Sequence, residues 1–347
     1  MSMPLPPPPP QRDWRILDPV LRLRVLETDE LHPLPEPREG AEAVLGAGAA
    51  ASLQLRDPTR QLSRRHAHLA WDGRRWIVRD LESKNGLWID GVRRTSAALA
   101  PGLELGLGGL TLVAESAELL RLRALVERLI GWSGERRHDV DRALRALRDA
   151  ALLRASLVLY GDGDLVPIAR RLHRETLGAD RPFIACGRRD RALELLRRAG
   201  DGTLCISAAA PPPDALDAIS ALFTTPSPAR LVLCASDVRD ASPLGALLGP
   251  AVWLELPPLS RRRDELPRIL VDAAAEAARE LDQPLAALRT GDVEQLADVP
   301  FEGLAGVHDA ARHLVALRAL GTSAGAAHLG VAPGALSRWA RRRGLAA

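Results

Sequence analysis

Lysine is almost missing from this chain of 347 residues: Lys84 is the only one, and every other basic residue is arginine. Aromatic residues make up only 3% of the chain, so its cores must be built from Leu, Val, Ala and Ile. Cysteine is scarce too. Cys186, Cys205 and Cys234 are odd in number and follow no CxxC spacing, which argues against a disulfide framework or a zinc site and fits a reducing cytoplasm. No run approaches the roughly 20 apolar residues of a membrane span. The opening stretch, MSMPLPPPPPQRD, lacks the apolar centre of a secretion signal and reads as a polyproline II-like tail over residues 1–14. A net charge of +3 is too small to mark the whole chain as a nucleic-acid binder, although basic residues cluster locally. These absences lead to the expectation of a cytoplasmic protein with no membrane partner, no metal and no cofactor.

What is present is ordinary for a soluble globular protein: 46% hydrophobic and 26% charged residues, over a length that accommodates two or three domains. The abundance of Ala, Leu, Gly, Pro and Arg suggests a GC-rich bacterial genome. Residues 15–115 carry an all-β rhythm. The runs VLRLRVLE, SLQL, HAHLAW, RWIVRDL, GLWIDG, LELGLGG and LTLVAE are separated by turn pairs at Asp72-Gly73, Asn85-Gly86 and Asp90-Gly91, as in a sandwich. From residue 116 the period becomes helical. Ser116 leads a stripe of Leu119, Leu120, Leu122, Leu125, Leu129 and Ile130, giving a helical linker over 116–130. Over 131–258 the strand-like runs SLVLY, PFIAC, TLCIS, ARLVLCAS and AVWLEL alternate with helical ones, which predicts a parallel α/β domain. Residues 259–315 and 316–347 read as helical, the last stretch as two short helices around Gly330-Val331 ending in arginines.

In the β region, three ordered motifs carry a resemblance. Ser63 to His66 forms SxxH, Asp80 to Gly86 forms a DLxSxNG string, and Leu99 through Gly106 forms a late strand pair. Together they resemble a forkhead-associated (FHA) domain over about 100 residues, although Asn85-Gly86 also reads as a plain hairpin turn. The resemblance implies a β-sandwich whose end loops bind phosphothreonine, a group of nearly two negative charges that calls for converging donors. It assigns Ser63, Arg64, Ser83 and Asn85 to the phosphopeptide, with Asn85 on the peptide backbone. Gly46, His66 and Gly86 are assigned to structure. One departure stands out. The family's first motif is Gly-Arg, its arginine reaching the phosphate, whereas this chain has Gly46-Ala47; Arg56, Arg60 and Arg65 are the neighbouring candidates to compensate.

Residues 129–315 resemble the AAA+ domain of NtrC-type sigma-54 activators, through LIGWSGERRHDVDRALRALRDAALLRASLVLYG, IARRLH, RPFIAC, GDGTLCIS and WLELPPLSRRRDELPRIL. The family's phosphate loop needs a lysine to steady the outer phosphates. Here Gly161 and Gly163 remain, but Leu165 stands where the lysine should. The strand-end aspartate and glutamate that hold magnesium and prime water are replaced by Ser207 and Ala208. The sigma-factor loop has no room between Cys186 and Gly200, and Gly306 stands at the sensor arginine. Four losses together predict a nucleotide site without catalysis.

The closing AAHLGVAPGALSRWARRRGL resembles the Fis-type helix-turn-helix that ends the same activators. The resemblance implies DNA contact by Ser337, Arg338, Arg341, Arg342 and Arg343, mostly to phosphates, and a dimer or higher oligomer to read two half-sites. The expectation for the whole chain is therefore multidomain: an FHA β-sandwich, an AAA+-like α/β domain with a helical lid, and a C-terminal helix-turn-helix. Its expected role is that of a non-catalytic bacterial transcriptional regulator with a phosphothreonine protein and DNA as partners. The alternative is an FHA signalling scaffold downstream of a Ser/Thr kinase, with no DNA role.

Overall fold

The computed structural model describes residues 14–153, 155–161, 165–224, 229–248, 251–283, 288–289, 291–301 and 303–345. The chain up to residue 13, expected as the proline-rich tail, lies outside them. Trp14, assigned to that tail, does not belong to it: its ring is 2% exposed and its indole N–H donates to the Pro101 carbonyl at 3.2 Å. Contacts divide the chain into two compact units. The first comprises the chain up to Glu127 with Ser133–Ala155 and His173–Arg181; the second comprises Arg128–Trp132, Ser156–Leu172 and Pro182–Ala347.

In the first unit the alternating runs become strands with one apolar face. β1 (Val20–Val25), β2 (Leu31–Pro33), β3 (Glu42–Gly46), β4 (Leu53–Gln54), β5 (Ala67–Trp71) and β6 (Trp76–Asp80) are followed by β7 (Leu87–Ile89), β8 (Val92–Arg94), β9 (Ser96–Ala98), β10 (Glu104–Leu107) and β11 (Leu110–Ser116). They form two sheets, ordered β2-β1-β11-β10-β7-β8 and β4-β3-β5-β6-β9. All pairings are antiparallel except the short β3–β4 pair. Period-two alternation decides what fills the core: Leu105 and Leu107 point inward while Glu104 and Gly106 do not. Leu23, Leu45, Leu69, Val78, Leu87 and Leu112 join them, with Trp76 the one large aromatic in this cluster.

Helix α1 (Ala117–Ile130) begins where Ser116 Oγ accepts the Leu119 N–H at 3.2 Å, the cap the sequence suggests. Helix α2 (Arg137–Leu153) packs in the first unit, although the sequence reading draws a boundary at 131 and counts it with the α/β domain. The reason is a buried ion cluster. Arg24 on β1 donates to Glu115 at 2.7 Å and to Asp141 of α2 at 2.6 Å, and Arg123 of α1 donates to Asp141 at 2.7 Å. Burial alone would raise the Asp141 pKa; the facing Arg24 and Arg123 outweigh it and hold the carboxyl below its usual range.

The second unit is built on five parallel strands, β12 (Ser156–Gly161), β13 (Phe183–Cys186), β14 (Thr203–Ser207), β15 (Arg230–Ala235) and β16 (Ala251–Leu256). They lie in the order β13-β14-β15-β12-β16. Helix α3 (Leu165–Leu177) leads out of β12. Helices α4 (Ala192–Ala199), α5 (Ala215–Thr224) and α6 (Val238–Gly245) cover one face of the sheet with Ala192, Leu196, Ile219 and Ala241. The other face is buried as well, through Leu157, Leu159, Val232 and Cys234, as a parallel sheet requires. Among the described residues α7 (Leu266–Glu280), α8 (Asp292–Ala297), α9 (Gly303–Leu329) and α10 (Pro333–Arg342) follow. Helix α9 breaks at Gly321, where the backbone leaves helical angles, so its last turns form a separate short helix before α10. Arg318 of α9 donates twice to Asp292 at the start of α8, at 2.9 and 2.5 Å, both side chains being almost fully buried.

Candidate functional site

Three loops of the sandwich meet, the first two of them backbone to backbone. At the end of β3, Gly46 lies so close to the next loop that a Cβ there would fall 2.2 Å from the Arg64 carbonyl oxygen. Only glycine permits this approach. The following N–H groups, of Ala47 and Gly48, donate to the carbonyls of Ser63 and Arg64, each at 3.0 Å. The Ser63 loop is thus sewn to the β3–β4 loop without side-chain help.

His66 joins the Ser63 loop to the third loop. Fully buried, it accepts the Ser63 N–H on Nδ1 at 3.2 Å and donates from Nε2 to the Gly86 carbonyl at 3.1 Å. A backbone N–H can only donate and a carbonyl only accept, so this pattern requires the tautomer with its proton on Nε2. Across the same gap the Lys84 N–H donates to Ser63 Oγ at 3.1 Å. Ser63 therefore uses its oxygen as an acceptor and keeps its own O–H for a further partner.

Ser83 behaves differently. Its hydroxyl donates to Asp80 Oδ1 at 2.5 Å and accepts the Gly86 N–H at 3.0 Å, so its single proton is committed to bracing the loop. Asn85 donates from Nδ2 to the Gln61 carbonyl at 2.7 Å, which leaves its Oδ1 and second amide hydrogen available. Its own carbonyl accepts the Trp88 indole N–H at 3.1 Å. The chain's single lysine and its single asparagine are neighbours in this loop.

Around these groups the charge is positive. Arg56, Arg60, Arg64, Arg65 and Lys84 are all exposed. Ala47, at the departure from the family pattern, is exposed with its backbone against Ser63.

Two residues that sequence reading passes over also shape the site. Asp57 accepts the N–H groups of Thr59, Gln61, Leu62 and Gly109 at 2.9, 2.8, 2.8 and 3.2 Å, and the Thr59 hydroxyl at 2.7 Å. Desolvation acts to raise its pKa, but the Thr59 bonds and the other backbone donors prevail and hold it at about 2. By fixing Gln61, Asp57 fixes the carbonyl that anchors Asn85. The Asp57-Pro58-Thr59 string was the signal, a turn-forming aspartate with a hydroxyl two residues on. The other residue is Arg93, whose guanidinium lies against Gly86, with Nε 2.5 Å from where a Cβ would stand. The tight β7–β8 hairpin, turned at Asp90-Gly91, brings it there.

In the second unit, Gly161, Ser207 and Ala208 lie at the carboxyl ends of β12 and β14, where open parallel sheets hold ligands. The connection leaving β12 runs toward one edge of the sheet and that leaving β15 toward the other, so β12 stands at a switch point. Leu165, at the start of α3, is 5% exposed. Gly163 lies outside the described residues. Gly306 faces Phe301.

At the C-terminus, Arg338, Arg341 and Arg342 are exposed at spacings that place them on one face of α10, with Ser337 half-buried beside them. Arg343 departs from the expected set: it folds back 4.9 Å above the Trp339 ring, and burial together with the neighbouring Arg342 lowers its pKa. Leu336 and Ala340 occupy the opposite, buried side of the helix.

The first unit is thus a two-sheet antiparallel sandwich with a cation-rimmed loop site at one end. Residues 43–108 match the FHA domain model, a span that includes Ser63, His66, Ser83, Asn85 and Gly86. Among solved structures, a phosphothreonine-dependent FHA domain is 28% identical, covering 27% of this chain and 94% of its own, with a TM-score of 0.24. The FhaA FHA domain, solved with the intracellular domain of Rv3910, is 29% identical over 26% of this chain and 96% of its own, TM-score 0.24. The FHA domain of CT664 from Chlamydia trachomatis is 23% identical over 27% and 95%, TM-score 0.25. No curated protein matches the chain. No described helix is long and apolar enough to cross a membrane.

Proposed function

We propose that this protein binds phosphothreonine-containing partners through its FHA domain, and that it acts as a non-catalytic transcriptional regulator holding DNA through its C-terminal helices. The observation that carries the first part is the Ser63 hydroxyl. Lys84 N–H occupies its oxygen, its own proton is available, and exposed Arg64 adjoins it. A phosphate brings nearly two negative charges and acceptor oxygens only, the complement of that arrangement. Ser63 and Arg64 take the phosphate and Asn85 the peptide backbone, while Ser83 serves by holding the loop.

The DNA part is supported by the exposed arginine stripe of α10, following a short helix and the Gly330 turn. Such a stripe suits phosphate contact, and a dimer would supply two of them. An AAA+-like reading, drawn back from 131–258 to the sheet region 156–258, is supported by the parallel sheet with its switch point at β12. Leu165, Ser207 and Ala208 offer no amine or carboxylate for a triphosphate and its metal, so the proposal assigns no ATPase to it.

The test uses the full chain. Titration with phosphothreonine peptides should show binding that Ser63→Ala and Asn85→Ala abolish; titration curves unchanged by both variants would remove the first part. Gel shifts on genomic fragments should show DNA retention that a triple Arg338→Ala, Arg341→Ala, Arg342→Ala variant loses. Indifference to DNA at modest salt would leave a kinase-linked scaffold instead. Magnesium-dependent phosphate release from ATP is expected to be absent.

A further inference from the structure

We infer that Arg93 is a second guanidinium of the phosphothreonine site, supplying the charge that Ala47 leaves out. The inference rests on the phosphothreonine reading above. Register places Arg93 on β8 opposite Trp88 on β7, so both side chains leave the same face of the hairpin. Trp88 is held by its bond to the Asn85 carbonyl, and Arg93 extends diagonally past that pair to Gly86. Its Nε, Cζ and Nη2 atoms lie 2.5, 3.0 and 3.0 Å from the point where a Cβ on residue 86 would stand. Gly86, in the left-handed region at φ +76, is thus the bed on which the guanidinium rests.

That bed is tied directly to the Ser63 loop. The Gly86 carbonyl accepts from His66, its N–H donates to Ser83, and two residues earlier the Lys84 N–H reaches Ser63 Oγ. Arg93 therefore rests on the same loop whose Lys84 N–H holds the Ser63 hydroxyl. It is exposed, and among the described residues no ion pair engages it. The Asp80 carboxylate at the entry to the strap is already occupied by Ser83. A guanidinium with no ion pair among the described residues, resting on a glycine that hydrogen bonds tie to the Ser63 loop, is what a dianion needs and a neutral hydroxyl group does not.

The test screens the full-length protein against a peptide library with phosphothreonine at its centre and degenerate flanks, then titrates the best-bound sequence. Arg93→Ala should weaken binding about ten- to a hundredfold. Arg93→Met, which keeps an unbranched stem over Gly86 without the charge, should weaken it equally. Arg93→Lys should recover only part, since an ammonium cannot form the planar fork. The salt dependence of binding should become shallower in the Ala and Met variants. If Ser63→Ala abolishes binding while Arg93→Met stays within twofold of wild type, the inference is overturned and the phosphothreonine reading stands. If the loss disappears once Asp and Glu in the peptide flanks are replaced by Ala, Arg93 reads a carboxylate and the inference is again overturned. If the wild-type protein retains no phosphorylated peptide, the phosphothreonine reading itself falls, and this inference with it.

Discussion

Replacing His66 with alanine isolates what holds the candidate site together. The ring is fully buried and makes two bonds to backbone groups on different loops, the Ser63 N–H at 3.2 Å and the Gly86 carbonyl at 3.1 Å. Alanine leaves both without a partner, at about 1–3 kcal/mol for each group that water cannot reach. It also leaves a hole where the imidazole stood. Together these give a destabilisation of about 3–5 kcal/mol, a large share of the roughly 5–15 kcal/mol that keeps a domain folded. His68, two residues further on in β5, provides the control. It lies partly exposed, 3.1 Å from Glu42, and such a surface pair contributes at most about 1 kcal/mol. The assay is amide hydrogen exchange on the full chain, followed through segments 60–70 and 80–90. His66→Ala should lower protection there about a hundredfold or more, since each 1.4 kcal/mol is about a factor of ten. His68→Ala should change it less than about tenfold. Equal protection in the two variants would refute the claim that a buried imidazole joins the loops.

Three further outcomes follow from the geometry. The Asp57 carboxyl is depressed to about 2 in the folded chain, so the order it gives the 57–62 loop is complete above the ordinary carboxylate range near pH 4. That order should fade as pH falls through about 2, seen as loss of exchange protection at Thr59, Gln61, Leu62 and Gly109; Asp57→Asn should show the loss at neutral pH. Asp292→Asn strips the charge facing the buried Arg318 guanidinium, and should cost about 3–5 kcal/mol in denaturant unfolding; a cost under about 1 kcal/mol would contradict the burial. Ala47→Arg restores a guanidinium at an exposed position whose backbone already touches Ser63. It should tighten phosphopeptide binding about tenfold or more by fluorescence anisotropy, and an unchanged affinity would show that residue 47 does not face the anion.

Patterns that act over a few residues were legible in the sequence. The alternation that drives Leu105 and Leu107 inward, the cap at Ser116 and the five apolar runs of the parallel sheet are all local, and each appears as an element. The Ser63–His66 and Asp80–Gly86 motifs come together because the residues between them are strands of the expected length. What was not legible is which side chains meet once the elements have formed. The Asp90-Gly91 turn announces the β7–β8 hairpin, but not that Arg93, opposite Trp88, lays its guanidinium on Gly86. Asp141 looks like one more charge on an amphipathic helix until Arg24, 117 residues earlier in the chain, is found facing it. Arg343 reads as part of a basic run, yet a tryptophan one turn back gives its guanidinium a flat surface to lie on.

The Arg24–Glu115–Asp141 cluster dictates where the chain can be cut. A fragment ending at residue 130 retains every strand of the sandwich and discards Asp141, stranding the Arg24 guanidinium, 3% exposed, with half its acidic complement. Extending expression to residue 155 keeps that carboxylate in place. Anyone isolating the sandwich by its strands alone would purify a weakened protein and could mistake its poor behaviour for an inability to recognise ligand.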